Sequence, residues 1–418
     1  MREMKDSGVE WLGEVPAEWA LRQAGQLAVQ TKVPNEGMIE TNLLSLSYGK
    51  VKRRDINATD GLLPASFETY NVIGPNDIVL RFTDLQNDQK SLRVGRATER
   101  GIITSAYVTV RPLNPSYSRF MYYALHAYDL RKGFYGMGAG VRQGLKWQEA
   151  KYIKLPWPGD AERDRIADFL DEKCDEIDRA VSAAERSIEE YKAYKNSIVN
   201  QIITKGLNSN VPMKDSGVEW LGEVPAEWAL RQAGQLAVQT KVPNEGMIET
   251  NLLSLSYGKV KRRDINATDG LLPASFETYN VIGPNDIVLR FTDLQNDQKS
   301  LRVGRATERG IITSAYVTVR PLNPSYSRFM YYALHAYDLR KGFYGMGAGV
   351  RQGLKWQEAK YIKLPWPGDA ERDRIADFLD EKCDEIDRAV SAKQAIIADL
   401  KAYKQSLIYE AVTGKREV

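Results

Sequence analysis

The chain is one sequence written twice, and this duplication constrains its fold more than any other feature. Residues Met4–Ala183 and Met213–Ala392 are identical, at a constant offset of 209 positions, which is half of the 418-residue length. A repeat this long is a domain-sized unit, far larger than the roughly 20–50 residues of a solenoid repeat. Identical sequences fold to identical surfaces, so a ligand of this chain meets two copies of one site. A two-fold ligand is therefore favoured, and duplex DNA is the commonest two-fold polymer in a cell.

Composition places the chain among ordinary soluble proteins. Hydrophobic residues make up 43% and charged residues 27% of it. No apolar run approaches the roughly 20 residues that span a bilayer, and the first residues lack the apolar core of a signal peptide. Cys174 and Cys383 are one position in two copies, so they indicate neither a disulfide framework nor a zinc site. We expect a cytoplasmic protein with no membrane partner.

Charge is spread unevenly along the chain. The net charge is only +3, but residues 160–206 and 368–418 are acidic, so the remainder carries an excess of positive charge. Such basic parts suit phosphate contacts, although an ordinary solvated surface would look the same.

Each repeat ends in a segment with the period of a coiled coil. In residues 160–206, apolar side chains recur four and three positions apart with a break at Lys195, and residues 368–418 repeat the pattern with a break at Lys393. The first stripe is Leu170, Cys174, Ile177, Val181, Ala184, Ile188, Tyr191, Ile198 and Ile202; the second is Leu379, Cys383, Ile386, Val390, Ile397, Leu400, Leu407 and Ala411. Each predicted helix is roughly 65–70 Å long.

Such a stripe must be buried, and the cheapest partner for each helix is its own repeat. We predict an antiparallel coiled coil; the alternative, that each helix packs only on its own domain, leaves most of the stripe exposed. The predicted fold class is α/β (α+β), with pseudo-two-fold symmetry. The predicted parts are two globular domains at 1–157 and 207–366 and two long helices at 158–206 and 367–418.

The part before each helix reads as mixed α and β. Ile73–Phe82 and Gly101–Pro112 are β-branched and aromatic runs bounded by turn residues, which predict strands. Ser118–Leu130 predicts a helix, and Gly133–Gly144 predicts a glycine-rich loop.

Motifs for catalysis are weak. Gly136-Met-Gly-Ala-Gly140 lacks the third glycine and the helix of a nucleotide loop, and Asn114-Pro-Ser-Tyr117 lacks the second proline of an amino-methyltransferase motif. His126 and its copy His335 are expected to be packing residues. There is no nucleophilic triad and no metal-ligand spacing. We therefore expect a chain that is not catalytic alone and that holds no cofactor or metal itself.

Three polar segments of each repeat suit DNA instead. Tyr48–Arg54 carries four cations, whose density favours phosphate neutralisation. Arg81–Lys90 and Phe134–Lys146 carry Gln and Arg, which form paired hydrogen bonds with adenine and guanine. The candidate phosphate contacts are Lys50, Lys52, Arg53, Arg54, Lys259, Lys261, Arg262 and Arg263. The candidate base contacts are Gln86, Arg142, Gln143, Gln295, Arg351 and Gln352.

Several segments together make the chain resemble the specificity subunit of a type I restriction-modification system. They are the domain openings Lys5–Trp19 and Lys214–Trp228, the helix entries Leu145–Pro156 and Arg165–Asp171, the central joint Thr204–Pro212, and the C-terminal region Gln405–Gly414. The resemblance covers essentially the whole chain. One departure is that most members carry two different recognition domains, whereas these are identical.

The resemblance implies a function and partners. Two target-recognition domains would each read half of a split DNA sequence, and the helices would set the spacing and dock two modification subunits. Those subunits would bind S-adenosylmethionine and methylate adenine at N6, and restriction subunits could join the complex. Identical domains on an antiparallel helix pair lead us to expect a split inverted repeat. Two other classes stay open, namely a coiled-coil scaffold and a self-contained DNA methyltransferase or nuclease.

Overall fold

The chain divides into two compact units. The computed structural model describes residues 2–58, 64, 66–88, 90–137, 144–266, 273, 275–297, 299–346 and 353–418. Unit 1 is Met1–Glu185 with Gln394–Val418, and unit 2 is Arg186–Lys393. Each unit thus contains one globular domain and part of both long helices. The predicted domain boundaries stay predictions, since the division into units falls within the helices.

The globular domain of unit 1 is built from short strands. They are β1 (Met4–Asp6), β2 (Glu14–Pro16), β3 (Ala20–Gln23), β4 (Ala28–Thr31), β5 (Leu44–Ser47), β6 (Lys50–Arg53), β7 (Asn71–Ile73), β8 (Ile78–Leu80), β9 (Val94–Arg96), β10 (Gly101–Ile103), β11 (Val108–Pro112) and β12 (Lys154–Trp157). The two predicted strand runs are each divided in two, because turn residues interrupt them. One is the Gly74–Asp77 turn, in which Gly74 N–H donates to Asp77 Oδ2 at 2.8 Å.

The central sheet is antiparallel in the order β4-β11-β8-β9. Val110 of β11 lies opposite Ile78 of β8, and both side chains are fully buried. The other strands form the two-stranded pairs β1–β2, β3–β12, β5–β6 and β7–β10. The helices of this part are α1 (Ala24–Leu27), α2 (Tyr117–Leu130) and α3 (Trp147–Ala150). The helix predicted at Ser118–Leu130 is confirmed as α2, whose Phe120, Met121 and Leu125 are buried.

The second repeat forms the same elements. Its strands are β13 (Met213–Asp215), β14 (Glu223–Pro225), β15 (Ala229–Gln232), β16 (Ala237–Thr240), β17 (Leu253–Ser256), β18 (Lys259–Arg262), β19 (Asn280–Ile282), β20 (Ile287–Leu289), β21 (Val303–Arg305), β22 (Gly310–Ile312), β23 (Val317–Pro321) and β24 (Lys363–Trp366). Its long helix is preceded by α5 (Ala233–Leu236), α6 (Tyr326–Leu339) and α7 (Trp356–Ala359).

The two long helices are α4 (Asp160–Lys205), which follows the first globular domain, and α8 (Asp369–Val412), which follows the second. Within unit 1, Lys404 Nζ lies 2.6 Å from Asp178 Oδ1, and Lys401 Nζ lies 3.4 Å from Glu185 Oε1. Residues with higher numbers on α4 therefore contact residues with lower numbers on α8, which is the order of an antiparallel pair. Unit 2 shows the same order, because Lys195 contacts Asp387 at 2.7 Å and Lys393 lies 5.7 Å from the ring centroid of Tyr191. The predicted antiparallel pairing is therefore confirmed in each unit.

The apolar stripe of α4 follows the prediction up to Ile188 and then shifts. Val199 and Ile203 are buried, whereas Ile198 and Ile202 are only half-buried. The expected residues Ile198 and Ile202 do pack against the core of the second domain, but the fully buried positions at this end are one residue further along the chain. The reason is that a straight helix advances 3.6 residues per turn, so steps of four from Lys195 to Val199 and Ile203 replace the strict heptad. Across the described residues, no helix is long and apolar enough to cross a membrane.

Candidate nucleic-acid interface

The first polar segment forms a β-hairpin whose turn is exposed. Tyr48 and Gly49 connect β5 to β6 with φ values of 49° and 76°, and the Tyr48 side chain is 88% exposed. Two positive φ angles are typical of the tight turn that follows the strand twist. Tyr122 of α2 donates its hydroxyl to Gly49 O at 3.1 Å, which fixes the turn to the domain.

The four cations of this hairpin have different environments. Lys50 lies 2.5 Å from Asp178 Oδ2, and Arg53 donates to both carboxylate oxygens of Glu99. Burial opposes protonation of Lys50, but the hydrogen bond to Asp178 and the charges of Asp178 and Asp175 together outweigh burial and raise the pKa of Lys50. Arg54 is half-buried, and Lys52 is exposed and forms no ion pair with the residues that the structure describes. Lys52 is thus the cation of this segment best placed for a phosphate.

The copy in unit 2 repeats this pattern. Lys259 contacts Asp387, Arg262 contacts Glu308 at 2.5 Å, Arg263 is half-buried, and Lys261 is exposed. The structure thus places Lys50 and Lys259 against a helix. That these eight cations contact phosphates stays a prediction.

One aspartate in each unit ties the hairpin to the helix pair. Asp178 accepts hydrogen bonds from Lys50 of β6 and Lys404 of α8, and Asp387 is shared by Lys259 and Lys195 in the same way. Burial raises the pKa of Asp178, but the two lysines outweigh burial and lower it. Lys195, which interrupts the predicted stripe, therefore has a structural partner. The position of the hairpin depends on this three-residue charge cluster.

We expect Asp178→Asn with Asp387→Asn to lower the free energy of unfolding by about 1 kcal/mol per cluster, since each cluster is partly solvated. The control is Asp175→Asn, because the Asp175 carboxylate is 71% exposed and 3.7 Å from Lys50. The stabilisation is present above the ordinary aspartate pKa and lost as pH falls through the lowered pKa of Asp178 and Asp387. Urea unfolding of wild type and variants at pH 7 and pH 3 measures both effects; equal midpoints at pH 7 would contradict the role of the cluster.

The second polar segment is the loop between β8 and β9, and a buried arginine holds it. Arg93 is fully buried, and its guanidinium donates to the backbone oxygens of Thr83 at 2.6 Å, Asp84 at 3.2 Å and Asp88. Its own backbone N–H donates to Asp129 of α2 at 2.6 Å. A planar guanidinium can satisfy several carbonyl groups at once, whereas an ammonium is a single point of charge. Arg302 makes the same contacts in unit 2.

Gln86 lies on the loop that Arg93 fixes. Gln86 and its copy Gln295 are exposed in a turn, and Asp84 adopts a positive φ of 57° before that turn. The aspartate that supports the loop is itself perturbed, since burial raises the pKa of Asp129 to about 6. Sequence reasoning did not find Arg93, because a single arginine beside a strand looks like an ordinary exposed position.

The third polar segment begins and ends beside the same loop. Leu145 N–H donates to Phe82 O at 3.1 Å, the rings of Phe134 and Phe82 lie 5.1 Å apart, and the Tyr135 hydroxyl accepts from Arg93 Nε at 3.3 Å. Two of the predicted segments are thus brought together around Arg93. The candidate base contacts Arg142, Gln143, Arg351 and Gln352 lie outside the described residues, so their role stays a prediction.

The buried histidine is a packing residue, as predicted. The His126 ring stacks on Tyr122 with centroids 5.6 Å apart, and burial lowers the pKa of His126 to about 4. His335 repeats this arrangement on Tyr331. In the described part of the chain, no group of three or more His, Cys, Asp or Glu residues could hold a metal ion.

Comparison with solved structures gives the class of fold. The chain resembles a chain from a structure of the complex assembly and conformational transition of the type I restriction-modification system, with a TM-score of 0.65 and 12% identity. The likeness covers 96% of this chain and 99% of that one. Specificity (S) subunits from Thermoanaerobacter tengcongensis and M. genitalium are similar at TM-scores of 0.47 and 0.42, with 13% and 14% identity. They cover 96% and 94% of this chain, and 98% and 96% of theirs.

The class is therefore defined by the fold: mixed α/β domains combined with long antiparallel helices. More particularly, the chain has the fold of the type I restriction-modification chain that it matches over nearly its whole length. The predicted fold class is confirmed. No protein-family model matches the chain, and no curated protein matches it.

Proposed function

We propose that the chain is the DNA-recognition (specificity) subunit of a type I restriction-modification system. The observation that carries the proposal is the shared fold over 96% of this chain and 99% of its solved neighbour, in a chain whose two domains are identical. In this role the chain reads DNA and leaves the chemistry to partners. S-adenosylmethionine belongs to two modification subunits, and restriction subunits are further partners.

Recognition would use different groups for position and for sequence. Exposed Lys52 and Lys261 suit contacts with phosphates, which hold the duplex without reading it. Exposed Gln86 and Gln295 sit on loops fixed by a buried arginine, and a rigid support is what base reading needs. Arg142, Gln143, Arg351 and Gln352 are the other proposed base contacts.

Substitutions would separate these two roles. We expect Lys52→Gln with Lys261→Gln to reduce the slope of log affinity against log salt by about 2 and to weaken all sequences alike. Gln86→Ala with Gln295→Ala should instead cost about 1–3 kcal/mol at one base pair of each half-site. Binding of the assembled complex to DNA at several salt concentrations distinguishes the two. Uniform weakening by Gln86→Ala would move that residue to the phosphate group.

The outer faces of the long helices are the proposed docking surface for the modification subunits. Tyr194 and Tyr403 occupy equivalent positions in the repeat and are 57% and 50% exposed, although each lies on a helix. Exposed tyrosines are typical anchors of protein interfaces. Glu185, Glu189 and Glu190 provide exposed negative charge on α4.

We expect Tyr194→Ala with Tyr403→Ala to reduce co-purification of the modification subunit at least ten-fold, since two anchors are lost. Charge reversal at Glu185, Glu189 and Glu190 should act in the same direction. The control is Tyr152→Ala with Tyr361→Ala, because these tyrosines are 59% exposed but lie on the domains. Equal loss in the control would place docking elsewhere.

Two rival functions have direct tests. A coiled-coil scaffold would bind protein partners but would fail to retard DNA in a gel-shift with the modification subunit present. A self-contained methyltransferase would methylate DNA with S-adenosylmethionine and this chain alone. Methylation that requires an added modification subunit supports the recognition role over both.

A further inference from the structure

The identical domains are covered by helix ends that differ. In unit 1 the end of α8 packs on the first domain, and in unit 2 the end of α4 packs on the second. Position 409 is a tyrosine, whereas the equivalent position 200 is an asparagine, and Lys415 corresponds to Gly206. The two domains therefore have the same sequence but different neighbours.

Tyr409 makes a dense set of contacts with the first domain. Its ring lies 4.4 Å from the guanidinium carbon of Arg131, and its hydroxyl lies 3.3 Å from the backbone oxygens of Trp11 and Leu12. Lys415 Nζ donates to that hydroxyl and to Leu12 O, each at 2.7 Å. Burial raises the pKa of Tyr409, but Lys415 and Arg131 outweigh burial and lower it. We call Tyr409, Arg131 and Lys415 the tyrosine clamp.

Unit 2 has no equivalent of this clamp among its described residues. Asn200 donates Nδ2 to Asn196 O of its own helix at 3.0 Å, and its Oδ1 is buried without a hydrogen-bond partner. Arg340, the copy of Arg131, is exposed, and its side chain makes no hydrogen bond, ion pair or ring contact with the part of the chain that is described. Gly206 brings no ammonium group to this position.

Arg131 lies at the base of the loops that carry the candidate base contacts. It caps the C-terminus of α2, and Lys132 then turns the chain with φ 60° into the tight Gly133–Gly136 turn. Asp129, two residues before Arg131, accepts the backbone N–H of Arg93, which fixes the loop of Gln86. Movement at the C-terminus of α2 would therefore displace both the loop of Gln86 and the turn that begins the third polar segment.

We propose that Tyr409 is a positioning residue for the recognition loops of the first domain only, so that the two identical domains read their half-sites with unequal stringency. The contact that the second domain lacks is a cation–π pair with a hydrogen-bonded tyrosine. Pairs of this kind change an equilibrium about two- to five-fold at partly exposed sites. The end of α6 and the Gly342–Gly345 turn that follows it should open more often by this factor.

Proteolysis distinguishes the two domains without DNA. The measurement uses limited digestion with one lysine-specific protease. A single cut at Lys132 or Lys146 gives fragments of different mass from a single cut at Lys341 or Lys355, although the local sequences are identical. When local opening and closing are fast relative to cleavage, the cleavage rate is proportional to the population of the open form. We expect the second domain to be cut about two- to five-fold faster in the full chain. Equal rates in the two domains would overturn the proposal.

Matched variants assign the difference to the clamp. Arg131→Ala should raise the cleavage rate of the first domain to that of the second, while Arg340→Ala, the same change in the same local sequence, should alter neither rate. Asn200→Tyr should slow cleavage of the second domain. Equal effects of Arg131→Ala and Arg340→Ala, or no effect of Asn200→Tyr, would each count against the clamp.

A final measurement tests stringency and rests on the proposed function. The assembled complex methylates an intact target and a target with one altered base pair in one half. Tyr409→Asn should raise the ratio of altered-target to intact-target rates, and Asn200→Tyr should lower it, each about two- to five-fold. A purely structural role would change both rates together. If the complex recognises no target, the proposed function fails, whereas unequal proteolysis would still support the clamp.

Discussion

Methyladenine is expected at a split inverted repeat in cells that carry this chain and its modification subunit. Residues Met4–Ala183 and Met213–Ala392 are identical, so in the proposed function both domains would prefer the same short half-site. The helix segments run antiparallel in each unit, and an antiparallel pair is the arrangement expected to produce half-sites in inverted order. The target should read as a half-site, a spacer without sequence preference and the reverse complement of the half-site.

Long-read mapping of methyladenine measures this directly. One adenine should be modified in each half, on opposite strands and at equivalent positions. Cells that carry the modification subunit without this chain are the control and should lack the pattern. Two unrelated half-sites would contradict the argument from identity, and a direct repeat would contradict the argument from the helices.

Loss of the buried arginine should abolish sequence recognition. Arg93→Ala with Arg302→Ala removes a fully buried side chain and leaves the backbone oxygens of Thr83, Asp84 and Asp88, and their copies, without these part-buried hydrogen bonds. The lost hydrogen bonds and the cavity together should cost about 3 kcal/mol in each domain. Arg93→Lys should rescue little, because the three donors of an ammonium diverge from one nitrogen, whereas the planar guanidinium reaches the three carbonyl groups from two separate nitrogens.

Urea unfolding and target methylation measure this prediction together. The control is Arg22→Ala, an exposed position of β3, whose unfolding midpoint should stay near that of wild type. Non-specific DNA binding should keep its salt dependence in the folded Arg93→Ala variant, since Lys52 is untouched. Retained specificity in that variant would show that the loop of Gln86 reads no base.

The features that could be predicted best from the sequence are whole secondary-structure elements and domains. The duplication, the long helices and the helix at α2 could be predicted, because hydrophobic periodicity is a local property that a helix must satisfy whatever surrounds it. The antiparallel order followed from the need of each stripe for a partner. The end of the stripe was placed one residue away from Val199 and Ile203, because a heptad count ignores the drift of a straight helix.

Side-chain roles depended on contacts between residues far apart in the chain. The four cations Lys50, Lys52, Arg53 and Arg54 looked alike in the sequence. The folded chain pairs Lys50 with Asp178 and Arg53 with Glu99 and leaves Lys52 exposed. Arg93 also gave no sequence signal, but in the folded chain its guanidinium donates to three backbone oxygens of its own loop, and Asp129 of α2 accepts its backbone N–H.

Sequence alone determined that two equal domains exist, since identity of sequence requires identity of fold. Only the tertiary structure showed that the two domains make different contacts with the helix ends that cover them. Tyr409 and Asn200 lie in helix ends more than 200 positions apart, and nothing local distinguishes the domains that they cover. The difference arises because Arg131 contacts the ring of Tyr409, whereas Arg340 contacts no ring in the part of the chain that the structure describes. A contact of this kind exists only after the chain has folded.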